Sequence, residues 1–447
     1  MANQGEIWAG ETAAAHEKDA AATTTDPIAT PIESEEVSDS TSDPAAAEER
    51  PGLKAWIILI AGFVVHMFSF GVVGSYGVYQ VQYLVHEFPS ASAATISWIG
   101  TLMFLTIAFL GMFVGFIIEH FDARIICVAG MALAGGSMVA ASFCKTPVAL
   151  LLTQGLLFGF GASPIDVISI VIPAQYFGKH RALAVGVVLA GSGVAGIWLS
   201  AADKAMFTSL GRPWAMRITG LIMFGLGIPC SWLLKTRPTM IRQGRLFDFS
   251  LLRDAKYVLL LVASTLSMAS FVSPFYYMPS YSVVVLGKSD GFGTSIQMAM
   301  NLTSLLSRIV IDQFSIRMGA LNTLLVATFV GTVAVVVVWL PFRNTACLVI
   351  AAAIYGWSWG IMATLPAVVA ADLYGPERLG TTLGIMYLGY AVGTIISAPA
   401  DGAMLESVGH KTDYSSLIIY CGMQLIGSTA ALVGLRCLIS KKVLYKC

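Results

Sequence analysis

The sequence predicts an all-α polytopic membrane protein with twelve transmembrane helices in two six-helix halves. Three observations lead there. The first is composition: 447 residues, 56% hydrophobic and only 12% charged, with mean hydropathy +0.76, where a soluble domain carries about 25% charged residues. The second is spacing. A helix needs about 20 mostly apolar residues to cross a bilayer, and such runs recur at 55–79, 93–118, 124–144, 148–172, 182–204, 214–234, 256–285, 293–316, 321–341, 346–371, 380–403 and 415–438. The third is an internal repeat. Phe177-Gly178-x-x-Arg181 returns as Tyr374-Gly375-x-x-Arg378 at an offset of 197, and Glu119-His120-Phe121 returns as Asp312-Gln313-Phe314 at an offset of 193. The copies follow runs four and ten, then two and eight, so the chain reads as a duplicated six-helix unit.

Taken in order, residues 1–50 hold twelve acids, two bases and few large apolar side chains. Such a segment cannot bury enough surface to offset its ordering entropy, so a disordered acidic cytoplasmic tail is expected. A regulatory segment phosphorylated within its Ser/Thr cluster, Ser34 to Ser42, is the alternative. The tail has no apolar core and too many acids for a secretory or mitochondrial leader. Residues 51–234 form the first half, 235–255 a basic cytoplasmic linker, 256–440 the second half and 441–447 a cytoplasmic tail. With the N-terminus inside, inner flanks carry 17 Lys and Arg and outer flanks 7. The positive-inside rule then places both termini in the cytoplasm of a plasma-membrane protein. Run seven is broken by Pro274 and Pro279, a device membrane helices tolerate and often use beside a cavity. Gly111-xxx-Gly115, Gly155-xxx-Gly159, Gly356-xxx-Gly360, Gly380-xxx-Gly384 and Gly389-xxx-Gly393 mark close helix packing.

The few charges inside the spans carry the functional argument. Arg308 lies within run eight and is the one base past residue 50 that fits neither a helix end nor a loop. A cation at bilayer depth costs at least about 2.5–3.5 kcal/mol on insertion scales. Its planar guanidinium matches a carboxylate, so we read it as a docking group for an anionic small molecule, with a structural pairing to Asp312, one turn away, as the alternative. Asp166 in run four and His66 in run one are candidate proton carriers. Asp166 otherwise reads as a helix-end acid facing water, and His66 as a packed histidine. Asp203 and Asp401 sit toward outer helix ends and are expected to be hydrated. The seven cysteines include no C-x-x-C pair, so neither a disulfide framework nor a metal site is expected. No phosphate-binding loop, HExxH or nucleophile elbow is present. We therefore expect no enzyme, no cofactor and no nucleic-acid partner.

Tyr176-Phe177-x-x-x-Arg181-Ala182-Leu183-Ala184-x-Gly186, running on to Ala190-Gly191-Ser192-Gly193-x-x-Gly196, resembles the helix-five opening of monocarboxylate-transporter-like porters, a family of the major facilitator superfamily. Leu53-Lys54-Ala55-Trp56 and Asn301 to Arg308 resemble that family's first and eighth helices. Phe247-Asp248-x-Ser250-Leu251-Leu252 is similar to its fungal branch. The resemblance implies a cavity lined by helices one, four, seven and ten, and hence substrate contacts from Tyr276, Tyr277, Tyr355 and Trp359 beside Arg308 and Asn301. It assigns Glu119, Arg124, Arg181, Asp312 and Arg378 to gating or structural loops. The chain lacks the helix-one Lys of animal lactate carriers and has Ser304 where they place an Asp before the helix-eight Arg, so lactate–proton symport is not implied. The expectation is a secondary active transporter working by alternating access. It would move a small organic acid or weakly acidic metabolite, with a proton as the candidate coupling ion, inward or outward, as for a fungal secondary metabolite. A non-transporting membrane sensor with the same fold is the alternative, motivated by the degraded loop after helix two, Gly115-x-x-x-Glu119-His120-Phe121-Asp122-Ala123-Arg124.

Overall fold

The computed structural model describes residues 52–177, 181–236, 249–375, 379–409 and 412–439. The acidic tail, most of the basic linker, the last eight residues and Arg378 lie outside the described residues, as do the side chains of Glu119, Arg181 and Asp312. The described residues form twelve long helical runs: α1 (Leu53–Glu87), α2 (Ala93–His120), α3 (Ala123–Ala141), α4 (Pro147–Tyr176), α5 (Arg181–Ser209), α6 (Arg212–Leu233), α7 (Ala255–Val284), α8 (Asp290–Met318), α9 (Ala320–Trp339), α10 (Thr345–Tyr374), α11 (Leu379–Ser407) and α12 (Ser415–Ile439). Eleven of these runs contain stretches long and apolar enough to cross a membrane. The remaining one, α8, has 29 residues but carries Gln297, Asn301, Ser304, Ser307 and Arg308 along its length. The helix with the anomalous cation is also the most polar one.

Local chemistry sets the helix ends. Asp122, Asp254, Ser289 and Asn344 accept hydrogen bonds from the first-turn N–H groups of α3, α7, α8 and α10, donors that no intrahelical carbonyl can satisfy. At Asp122 the Arg124 guanidinium also closes back, with Nη2 2.7 Å from Oδ2, and holds this loop carboxyl below the usual carboxylate range. Arg124 thus ties its own loop, and its guanidinium lies over the Trp232 ring. In the second copy of the repeated loop Gly375 adopts φ +81°, a left-handed conformation that favours glycine. Just before it, Tyr374 donates to the Asp254 carboxylate at 2.7 Å.

Two helices are interrupted where the cavity lies. α1 breaks at Phe68–Ser69, and the Ser69 hydroxyl donates back to the His66 carbonyl at 3.1 Å. α7 breaks at Ser270–Phe271 before Pro274 and Pro279. Helix packing is closest at glycines. A Cβ on Gly356 or Gly360 of α10 would fall on the Met300 or Ser304 carbonyl of α8, and one on Gly155 or Gly159 of α4 on the Ile99 or Met103 carbonyl of α2. Gly389 and Gly393 of α11 face Leu261 and Thr265 of α7 in the same way. Gly111 faces α4 loosely, and Gly115 has open space. α8 is therefore clamped at backbone distance by α10 on one side, and packs against α5 on the other.

Two substitutions test this clamp. Gly360→Leu should lower thermal stability by about 1–3 kcal/mol, the usual cost of forcing a side chain into filled space, read as a shifted melting profile of detergent-solubilised protein. Gly115→Ala should change the profile by less than about 0.5 kcal/mol.

Candidate functional site

A cavity with about 840 Å³ of empty space, part of it continuous with solvent, lies between the two sets of six helices. Walls come from α1, α4, α7 and α10, as the resemblance implied, and also from α2, α5, α8 and α11. Arg308, Asn301, Trp359, Asp166 and His66 all line it. Residues up to 324 positions apart in sequence, His66 and Tyr390, thus share one chamber.

The acidic wall is built by α1 and α4. Gly62 lets these helices approach closely, since a Cβ there would meet Pro173 and the Ser169 carbonyl. His66 Nδ1 then lies 3.3 Å from Asp166 Oδ1 and 3.3 Å from Ser169 Oγ. Ser69 Oγ, at the α1 break, also lies 3.4 Å from the same Asp166 oxygen, so its one hydrogen can go to either acceptor. Both His66 and Asp166 are 1% exposed. Asp166 is therefore a buried member of a side-chain network and not a hydrated helix-end acid, and His66 is its partner. A carboxyl in such surroundings persists only with hydrogen-bond partners.

The basic wall is Arg308. Its Nη1 donates to the Leu189 carbonyl at 2.7 Å and to the Ser192 hydroxyl at 3.0 Å, both on α5. Its Nε is buried without a hydrogen-bond partner among the described residues. No described carboxylate forms an ion pair with it. Neutral acceptors thus fix the guanidinium in place and leave part of its donor fork unused. Such an orphaned charged donor is costly unless something else completes it.

The remaining wall is aromatic. The Phe271 and Trp359 rings lie 4.4 Å apart at 30°, and Phe271 and Phe275 lie 4.5 Å apart at 32°. Tyr387 and Tyr390 of α11 also line the cavity, with their rings 5.7 Å apart. Tyr276, Tyr277 and Tyr355 are fully buried outside the lining. Tyr276 packs on Tyr76, Tyr277 shares a hydrogen bond with Ser97 of α2, and Tyr355 donates to the Ser270 carbonyl at the α7 break. Phe271, Phe275, Tyr387, Tyr390 and Ser192 were not singled out by sequence reasoning. The α11 tyrosines carried a usable signal: their spacing of three puts both on one helix face.

Toward the α1 C-terminal end the cavity is closed by bonds between the first six helices and the last six. Gln297 and Asn301 of α8 both donate to the Gly74 carbonyl of α1, at 2.6 and 3.1 Å. Beyond them, Asp290 accepts from Lys204 at 2.8 Å and lies 2.7 Å from His86, and Ser92 donates to Glu406 at 2.6 Å.

This is a two-sided cavity at the seam of a twelve-helix bundle, and the sequence model of the Major Facilitator Superfamily matches residues 58–398. The chain belongs to that superfamily. It is a multi-pass membrane transporter, with a small-molecule substrate and lipid around it. Its relatives include the aspyridones efflux protein apdF of Emericella nidulans, 29% identical over 82% of this chain and 76% of that one. The agnestins efflux protein AgnL12 of Paecilomyces divaricatus is 28% identical over 91% of this chain and 92% of that one. Among solved structures, the nucleoside transporter NupG superposes with a TM-score of 0.67 at 14% identity, covering 86% of this chain and 99% of that one. That likeness concerns the fold alone.

The buried His66–Asp166 pair sets a thermodynamic expectation. His66→Ala strands a buried carboxyl and should cost about 1–3 kcal/mol. Removing both partners should cost less than the two single losses added together, by about 0.5–3 kcal/mol. Strictly additive losses in a double-mutant cycle would show that the two side chains do not act as a pair.

Proposed function

We propose that this transporter exports a weakly acidic, aromatic secondary metabolite from a fungal cell across the plasma membrane in exchange for protons. The observation that carries the reading is the orphaned Arg308 donor, held in an aromatic-lined cavity with the His66–Asp166 pair on another wall. A carboxylate or acidic enol seated there would complete the Arg308 fork, and its ring system would lie against Phe271 and Trp359. A guanidinium interacts strongly with an anion where water is scarce. Asp166, paired with His66, is the group we assign to proton exchange, because gaining a proton weakens that pairing and loss restores it.

Two further points support export. The relatives named for efflux handle aspyridones and agnestins. The bonded layer lies on the far side of the cavity from the α1 N-terminus. With the termini in the cytoplasm, as the Lys and Arg distribution argues, the cavity would load from inside. The helix-five and helix-eight motifs support our reading of the chain as a member of the monocarboxylate-porter-like branch. Transport is favoured over a sensing role because the cavity retains both a charged and an aromatic wall.

The test compares metabolites inside cells and in the medium for deletion and overexpressing strains. Deletion should raise the intracellular level of one acidic aromatic compound, and wild-type protein should restore its export. Arg308→Gln should reduce export at least about tenfold, the effect of losing roughly 1.4 kcal/mol of docking free energy, with protein still at the membrane. Export of a cation, or undiminished export by Arg308→Gln, would overturn the anion-docking role.

A further inference from the structure

Two buried acids remain outside the cavity. Asp203 on α5 and Asp401 on α11 were expected to be hydrated, yet they are 1% and 0% exposed. The structure corrects that expectation, because both lie behind the layer that closes the cavity toward the α1 C-terminal end. Tyr79 of α1 donates to Asp203 at 3.0 Å, with Ser75 beside it. Ser273 of α7 donates to Asp401 at 2.7 Å, with Tyr277 beside it.

These two sites are copies of one another. Ser75, Tyr79 and Tyr83 on α1 recur as Ser273, Tyr277 and Tyr281 on α7, each at an offset of 198. Ala202-Asp203-x-Ala205-Met206-x-x-Ser209-x-Gly211 on α5 recurs as Ala400-Asp401-x-Ala403-Met404-x-x-Ser407-x-Gly409 on α11, at the same offset. So an acid on the fifth helix of each six-helix set meets a Ser–Tyr face on the first. The repeat preserves the residues and the pair of helices that meet, while the donor is Tyr79 in one copy and Ser273 in the other.

Among the described residues neither acid has a cation. Lys204 turns to Asp290, which also meets His86. Arg212, near Tyr79 and Tyr83, pairs with Glu87 at 2.7 Å. Around Asp401 stand Tyr277, Tyr355, Tyr420 and Cys421, from α7, α10 and α12. On α2, Ser97 bonds Tyr277. Asp401 Oδ1 is buried with no hydrogen-bond partner among the described residues. An ionised carboxylate in such a place carries a desolvation cost that one or two hydroxyl bonds do not offset, whereas the neutral acid is tolerated.

We propose that Asp203 and Asp401 are a symmetry-related pair of proton-binding sites that latch this end of the transporter. Each carboxylate takes a proton from external water as the end closes and returns it when the end opens. Closure requires the neutral form, so low pH on that side favours the closed state and rising pH favours opening. The Ser–Tyr face of α1 or α7 receives the neutral acid, and an ionised one keeps the helices apart. This rests on alternating access and not on the substrate assigned above.

The test needs no substrate, so its failure is separate from failure of the anion reading. Ser97→Cys places a thiol in the buried seam beside Tyr277. Its alkylation by a charged maleimide is followed by mass spectrometry of that one peptide, in full-length protein in lipid vesicles, at a series of pH values. Dividing the rate by that of the same protein with Asp203→Asn and Asp401→Asn cancels the thiol's own titration. The ratio should rise with pH, by up to about tenfold per pH unit for each proton released. Asp203→Glu with Asp401→Glu should keep the rise, which separates titration from misfolding. Infrared difference spectra against pH should contain a carboxylic-acid band that each Asn substitution diminishes and the pair removes. A ratio flat with pH, or a band indifferent to both substitutions, overturns the latch.

Discussion

A charge inside this bundle persists only where the protein itself supplies what water would have supplied, and the arrangement of the molecule follows from that constraint. Arg308 is held by a carbonyl and a hydroxyl of α5. Asp166 is held by His66 and Ser69, which in turn needs the break in α1. Asp290 collects Lys204 and His86 at the end of the seam. Each ionisable group thus fixes a relation between particular helices. Because a bilayer interior offers no alternative partner, those relations are specific. Polar groups here mark where the helices must meet and where they can part.

Close backbone packing supplies the complementary constraint. Helices in lipid gain little from apolar association alone, so they pack through small residues that bring backbones together. α8 shows the consequence. Gly356 and Gly360 place α10 against its carbonyls, which leaves its polar face turned to α1, α5 and the cavity. A Cβ on Gly196 of α5 would fall on the Asn301 side chain, so the same economy of space seats Asn301 where it reaches the Gly74 carbonyl. Motion of α8 relative to α10 would demand separation of these surfaces. Its bonds to α1 and α5 are side-chain contacts that can exchange, and these are the ones a rocking movement would break.

The cavity combines three chemistries: a guanidinium with unused donor capacity, an aromatic surface, and a carboxyl–imidazole pair. Superfamily membership makes the molecule a transporter, and the walls of the cavity are the part specific to this chain. Helix one has no Lys after Lys54 and position 304 is a Ser, so Arg308 lacks the charged neighbours of lactate carriers. Neutral groups of α5 position it instead.

Much of this was legible in the sequence. Long apolar runs must become helices in lipid, because only helices and closed barrels satisfy backbone hydrogen bonds there, so the number and order of spans followed from composition. Arg308 stood out for the same reason: an unexplained charge in an apolar run is visible without coordinates. The partners of that charge were not. His66 and Asp166 are 100 residues apart, and sequence offers no distance between them. Asp203 and Asp401 illustrate the limit best. Their repeat was present in the residues, yet position near a helix end suggested hydration, because burial depends on which neighbouring helix covers that end. By itself the sequence determined the helices, their order and the presence of buried charge, since these depend on local hydrophobicity. Only the tertiary structure decided which charges share a cavity, which are sealed behind it and which rings line it, because those depend on how distant helices rotate and pack.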